Sequence, residues 1–206
     1  MKRDSKDGLP PAVILAGGFS QRMGFPKAFL ALEEKSTVLN LVDEMIRSGF
    51  GRVALVVSRE IADSANTVFS DDVEIIINSA PEEGMISSLR LALDWAQFAE
   101  KGLLAQPVDH PLVSVVSMSK IIEEAKSANI VIPVYEGKRG HPTWWGRDVW
   151  NLLRDPMCDE GAKPLLRGWN NLVVEVKTDD PGILQNINTT ELARMHRLSQ
   201  LSSTAN

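Results

Sequence analysis

Three observations predict a three-layer α/β/α sandwich with a mostly parallel sheet. Short, continuous apolar runs recur along the chain, as AVILA at 12–16, RVALVV at 52–57, VEIII at 73–77 and IVIPV at 130–134. Runs of this kind mark strands buried on both faces. Between them lie segments whose apolar residues recur at helical spacing, and such alternation implies right-handed crossovers that place helices on both faces of the sheet. With 206 residues the chain is long enough for one full core and short for two.

The elements follow in order. After the first strand comes a loop over 17–26, and then a helix carried by Val38, Leu39, Leu41, Val42, Met45 and Ile46 and ended by Gly49. The second strand is 52–57, residues 61–69 read as helical, and the third strand is 73–77. Ile86, Leu89, Leu93 and Ala96 line one face of a helix that starts after Gly84. A fourth strand at 103–107 runs into the turn Asp109, His110, Pro111, and Ser114 caps a helix reaching about Ser127. The fifth strand is 130–134. The pattern then changes, because 143–145 reads as a strand with no full helix before it. Short helical pieces at 147–153 and 161–167, a strand at 172–176 and a terminal helix at 189–198 complete the chain. The change predicts one reversed strand in this part. The expected domain is 10–198, with tails at 1–9 and 199–206.

In an open α/β sheet, ligands sit beyond the carboxyl ends of the strands. The first such end carries LAGGFSQRMGFPK at 15–27. Gly17 and Gly18 allow backbone N–H groups to approach a ligand, Arg22 offers a planar fork suited to phosphate oxygens, Lys27 adds a point charge and Ser20 a hydroxyl. Two familiar phosphate loops are excluded. A P-loop needs Gly-Lys-Ser/Thr, whereas Gly24 is followed by Phe25, Pro26 and Lys27; a dinucleotide fingerprint needs Gly-x-Gly-x-x-Gly, whereas the glycines fall at 17, 18 and 24. A two-glycine turn with solvated cations is the plain alternative, and the full string at fixed offsets argues against it.

Two more strand ends face the same crevice. Asp109 stands just past the fourth strand, and a carboxylate there is a hard ligand for Mg²⁺, although Asp before Pro is also common turn chemistry. Gly84, Ser87 and Ser88 open a helix whose N-terminus can bind an anion or the polar edge of a base, or can simply be capped. Of the five tryptophans, Trp144 and Trp145 are adjacent in a strand and must face opposite sides, so one of them could line an acceptor crevice.

The loop at 15–27 resembles the signature of the nucleotidyltransferases similar to the molybdenum cofactor cytidylyl- and guanylyltransferases, whose sheet is Rossmann-like and related to that of the nucleotide-diphospho-sugar transferases. The elements around Asp109, Gly84–Arg90, Arg139–Pro142 and 181–192 resemble that family in the same order, from about Ala12 to Leu192. The resemblance implies that Leu15, Ala16, Gly17, Gly18, Ser20, Arg22, Lys27, Gly84 and Ser88 bind the nucleotide. It implies catalytic roles for Arg22, Lys27 and Asp109, acceptor contacts by Arg139 and His141, and Mg²⁺ on Asp109. The closing element departs from the family's acidic pattern, with Asn186 and Asn188 at both acidic positions; Asn186 is the expected second metal ligand. The implied reaction moves CMP or GMP from CTP or GTP to a phosphorylated acceptor, molybdopterin, and releases pyrophosphate. Ala16-Gly17-Gly18 resembles the guanylyl branch. Gly84-Met85, Arg139–Pro142 and Gly161-Ala162-Lys163 resemble the cytidylyl branch, and the sum favours CTP. One alternative is a sugar- or polyol-phosphate acceptor. Another is a non-catalytic cofactor-binding chaperone for a molybdenum hydroxylase, which the two asparagines favour.

Composition bounds the partners. A net charge of −5 argues against a nucleic-acid surface but not against a small polyphosphate. No apolar run approaches the length of a membrane span, the polar residues 1–11 lack a signal-peptide core, and a cytoplasmic protein is expected. Cys158 is the only cysteine, which excludes an intrachain disulfide and a cysteine-based zinc site.

Overall fold

The computed structural model describes residues 9–17, 31–32, 35–60, 62, 65, 73–99, 101–159 and 161–187. Strands β1 (Ala12–Ala16), β4 (Val53–Ser58), β5 (Val73–Asn78), β6 (Gly102–Pro107), β7 (Ile130–Tyr135), β8 (Lys138–Arg139), β9 (Thr143–Gly146) and β10 (Val173–Lys177) form one sheet among the described residues. The dipeptides β2 (Ala31–Leu32) and β3 (Lys35–Ser36) pair separately and antiparallel. The helices are α1 (Thr37–Arg47), α2 (Met85–Trp95), α3 (Val115–Glu124), α4 (Trp150–Leu153) and α5 (Lys163–Gly168). Arg59, Glu60, Ala62 and Ala65 are helical, in line with the expectation for 61–69. The expected terminal helix at 189–198 lies outside the described residues. Leu9, placed in the tail by its sequence, forms an isolated parallel bridge with Phe50 and packs on the core.

The sheet order is β10-β7-β9-β6-β1-β4-β5, with β8 alongside β7. β1 is parallel to both β4 and β6, β4 to β5, and β7 to β10, while β9 runs antiparallel to β6 and to β7. The reversed strands are therefore the dipeptide β8, antiparallel to β7, and the expected one, β9, and their origin is local. Glu136 (φ 48°) and Gly137 (φ 75°) form a two-residue turn between Tyr135 and Lys138, a geometry that suits a tight hairpin. A chain that reverses this way needs no crossover helix.

Two apolar cores flank the sheet, as the three-layer prediction requires. Ile14, Leu55 and Leu104 point to the side of α1 and α3; Val13, Val56 and Leu103 point to the side of α2, α4 and α5. Trp144 and Trp145 alternate between these cores, at 1% and 5% exposure. Neither lines the crevice, which corrects the expectation for one of them: each is a large apolar body in a strand covered on both faces, and burying both is the stable outcome. Trp150 Nε1 donates to Trp145 O at 3.0 Å and ties the following helix to the strand. Ser114 caps α3 as predicted, accepting from Ser117 N at 3.2 Å.

Candidate active site

β1 and β6 are adjacent and parallel, so their carboxyl ends open on one edge of the sheet. Val108 N donates to Leu15 O at 3.1 Å and joins the two ends. A cleft of roughly 200 Å³ lies there, lined by Leu15, Ala16 and Gly17, by Pro107, Val108 and Asp109, and by Pro81, Gly84, Met85 and Ser88 from the β5–α2 connection. Six of the residues expected at the site thus share one cleft: Leu15, Ala16, Gly17, Gly84, Ser88 and Asp109.

The β5–α2 wall is fixed by a side chain that the sequence pattern did not single out. Asn78 ends β5 and is 1% exposed. Its Nδ2 donates to Ser87 Oγ at 2.8 Å and Ser88 Oγ at 2.9 Å, and its Oδ1 accepts from Ala80 N at 2.9 Å. Ser87 Oγ in turn donates to Gly84 O at 2.8 Å, with Ala80 O at 3.1 Å as a second acceptor. Gly17 lies against this wall so closely that a Cβ on it would stand 2.6 Å from Ser88 Oγ, and only glycine fits without a shift. Gly84 precedes α2 without any side-chain capping bond. No N-cap side chain therefore takes up the first N–H groups of the helix among the described residues, the usual condition for receiving an anion.

The opposite end is acidic and carries two histidines. Asn186 Nδ2 donates to Asp109 Oδ2 at 2.8 Å, and Ile187 N donates to Asp109 O at 2.7 Å. His110 Nε2 lies 4.0 Å from Asp109 Oδ1 and 3.3 Å from Asn186 Nδ2. The His110 and His141 rings meet edge to face at 4.8 Å. Burial lowers the pKa of His110, against the opposing pull of Asp109. Burial, followed by the charge of His110, lowers that of His141 to about 4. Both rings are neutral at pH 7 on this account. The segment that brings Asn186 here is itself held in place: His141 N donates to Ile183 O at 3.0 Å, and Asp180 Oδ2 accepts from Ser114 N and Ser117 Oγ, both at 2.8 Å. Burial opposes ionisation of Asp180, but hydrogen bonds from Ser114, Ser117 and Gly182 overcome it and keep its pKa below the ordinary carboxylate value.

Asp109 is a hard donor; Asn186 turns its amide nitrogen to that carboxylate, its buried oxygen has no hydrogen-bond partner among the described residues, and a flip of the amide would bring the oxygen to the carboxylate as a second hard donor. No group of three His, Cys, Asp or Glu that could hold a metal occurs among the described residues. The donor set fits an ion such as Mg²⁺, which takes one or two protein oxygens and draws the rest from phosphate and water.

The other expected residues fall as follows. Arg139 lies on β8 with Nε donating to Glu175 Oε1 at 2.7 Å, in an exposed ion pair rather than on the cleft lining. His141 stands beside His110, behind Asp109. Gly18, Ser20, Arg22, Lys27 and Asn188 lie outside the described residues. Besides Asn78, the sequence pattern did not reveal His110 or Gln106, whose Nε2 donates to Pro107 O at 2.9 Å and His110 O at 2.7 Å and shapes the turn carrying Asp109. The available signal was a polar residue inside or closing an apolar strand, as in LLAQP and VEIIIN.

The mostly parallel sheet, its reversed strands β8 and β9 and the cleft at its carboxyl edge define an α/β nucleotidyltransferase fold. The chain belongs to the MobA-like NTP transferase domain family, whose model matches residues 12–176. It is 30% identical over 136 residues to a molybdenum cofactor guanylyltransferase of Rhizobium meliloti (strain 1021), covering 65% of this chain and 61% of that protein. A protein of the same description from Shewanella woodyi is 28% identical over 195 residues, covering 87% of this chain and 91% of the relative. The chain thus spans less than two thirds of the first relative and most of the second. Among solved structures, a nucleotidyl transferase from Methanothermobacter thermautotroptrophicus superposes with a TM-score of 0.78 at 22% identity, covering 95% of this chain and 99% of that one. Molybdopterin-guanine dinucleotide biosynthesis protein A from Archaeoglobus fulgidus gives 0.71 at 16% identity, covering 93% and 99%. No helix among the described residues is long and apolar enough to cross a membrane.

Proposed function

We propose that this protein transfers a nucleoside monophosphate from a nucleoside triphosphate to the phosphate of molybdopterin and releases pyrophosphate. The observation that carries the reading is the pairing, in one cleft, of a backbone-lined wall at Leu15–Gly17 and α2 with the Asp109 carboxylate at the other end. An acceptor phosphate oxygen attacks the α-phosphorus, the bond to the bridging oxygen of the β-phosphate breaks, and pyrophosphate departs. A phosphate is already an anion, so no general base is required, and catalysis is positioning and charge neutralisation. Asp109 with Asn186 would hold Mg²⁺, which supplies charge neutralisation on phosphate oxygens when bound. Gly17, Gly18, Ser20, Arg22 and Lys27 bind the triphosphate, and Arg22 and Lys27 balance the charge of the leaving group. His141 and Arg139 contact the acceptor, the latter by leaving Glu175.

GTP is the donor we favour, because the curated relatives are named guanylyltransferases and because Ala16-Gly17-Gly18 resembles the guanylyl branch. CTP is the second reading, favoured by the Gly84-Met85 and Arg139–Pro142 elements. Pyrophosphate release measured with each triphosphate, Mg²⁺ and reduced molybdopterin tests both. Release with GTP above CTP is expected. Tight nucleotide binding with no release from any triphosphate would replace the enzyme by a cofactor-binding chaperone.

A further inference from the structure

We propose that Asn78 is a positioning residue for the nucleotide: by giving one amide hydrogen to Ser87 and the other to Ser88, it obliges the Ser88 hydroxyl to donate into the cleft, to an acceptor atom of the nucleotide. The inference rests on the nucleotide reading of the cleft and adds to it a residue that does not line the cleft itself.

The direction of each hydrogen bond follows from what the groups can do. Ala80 N–H is a donor only, so the atom of Asn78 that meets it at 2.9 Å must be the oxygen. The amide nitrogen then faces the two serines, at 2.8 and 2.9 Å, and both hydroxyl oxygens accept. Ser87 spends its own proton on Gly84 O or Ala80 O. Ser88 has no equivalent: its hydroxyl accepts from Asn78, and its proton has no acceptor among the described residues. Ser88 is 3% exposed, so water is a poor substitute partner. It lines the cleft, and its hydroxyl sits directly against the Gly17 backbone. A hydroxyl whose lone pair is engaged from behind and whose proton faces a ligand cleft is a fixed donor. Nucleotides present acceptors to such a donor as phosphate oxygens, ribose oxygens or base carbonyls. Asn78 costs no charge in doing this, which suits a wall that must tolerate a polyanion.

The test is a double-mutant cycle on binding of GTP and of CTP, each with Mg²⁺, measured by calorimetry on wild type, Ser88→Ala, Asn78→Ala and the double variant, with a thermal melt of each. Ser88→Ala should weaken binding about tenfold, the scale of one hydrogen bond to a charged or strongly polar acceptor, and should lower the melting temperature as well, because one Asn78 amide hydrogen loses its buried acceptor. Asn78→Ala should weaken it by a similar factor, and the double variant should stay within about twofold of Ser88→Ala alone, because both changes remove the same donor. A purely architectural role for Asn78 predicts instead that the two losses multiply, and that result overturns the proposal. Should Asn78→Ala fail to fold, Asn78→Asp takes its place in the cycle, because a carboxylate gives Ser88 no proton: a loss that largely disappears in the Ser88→Ala background upholds the proposal, and losses that multiply overturn it. If wild type binds neither nucleotide, the reading of the cleft falls and takes this inference with it; if wild type binds and the losses multiply, only the inference falls.

Discussion

At the β5–α2 end of the cleft, Asn78, Ser87 and Ser88 are all hydrogen-bonded to one another or to nearby backbone. At the Asp109 end, Asn186 Oδ1 and Gln106 Oε1 are buried with no hydrogen-bond partner among the described residues. The first end is a neutral network, closed except for the Ser88 proton, that holds its shape unaided. The second holds a carboxylate met by a single amide hydrogen and leaves buried polar atoms unmatched, and each unmatched atom costs about 1–3 kcal/mol to leave so. The lesson is a division of labour. Shape, and hence the seating of a ligand, belongs to the first network. Charge, and hence anything that varies with metal or pH, belongs to the open one.

The sharpest way to break this contrast is Asp109→Ala. It should lower pyrophosphate release by two to three orders of magnitude, the scale of losing one preorganised electrostatic partner of the transition state, while the fold stays intact by circular dichroism. Near-normal turnover would remove Asp109 from the chemistry. Next is Gly17→Ala, which tests the closed end. The new methyl meets Ser88 Oγ at 2.6 Å, so a loss of about 1–3 kcal/mol by denaturant melt is expected, relieved in large part when Ser88→Ala is added. An equal loss in both backgrounds would place the strain elsewhere.

Asn186→Asp should act in the opposite direction at the open end. A second carboxylate beside Asp109 should tighten Mn²⁺ binding to nucleotide-free protein several-fold, as read by electron paramagnetic resonance of free Mn²⁺. Unchanged affinity would count against a metal at this pair. The last test of the contrast is the effect of pH on the metal-free protein. The pKa of His141 is about 4 when folded, against 6.5 for a solvated histidine side chain, so the unfolded chain binds more protons between those values. This contribution to stability is whole above pH 6.5 and is lost as the pH falls towards 4. Thermal melts over that range should decline, and less steeply in His141→Asn; equal slopes would show that the ring is not held neutral.

The three-layer architecture was legible because each buried parallel strand writes itself as a continuous apolar run, and the reversal at β9 was legible because no helix separates it from β7. Its position between β6 and β7 was not, since pairing with β6 joins segments some forty residues apart through the tertiary fold. At the site, Gly17, Ser88 and Asp109 announced themselves through short motifs at strand ends. Asn78 did not: one polar residue closing an apolar run looks like an ordinary strand terminus, and only the packing of α2 over β5 shows what its amide does. His110 was hidden for the same reason, as its neighbours Asn186 and His141 come from distant segments. Trp144 and Trp145 illustrate the reverse error, where alternation was read correctly but both faces turned out to be core.

The span between Asp109 and Asn186 is 77 residues. Translated at about 5–20 residues per second, such a gap separates the two by several seconds. The wall at Asn78 and the floor at β1 and β6 are already out of the ribosome when Asp109 emerges, yet the carboxylate then stands without its amide partner until 181–187 has docked onto Ser114 and His141. A nascent chain halted after β10 would have made the whole sheet but not the finished acidic end. In synthesis the acidic end is thus completed last, after every strand of the sheet has been made.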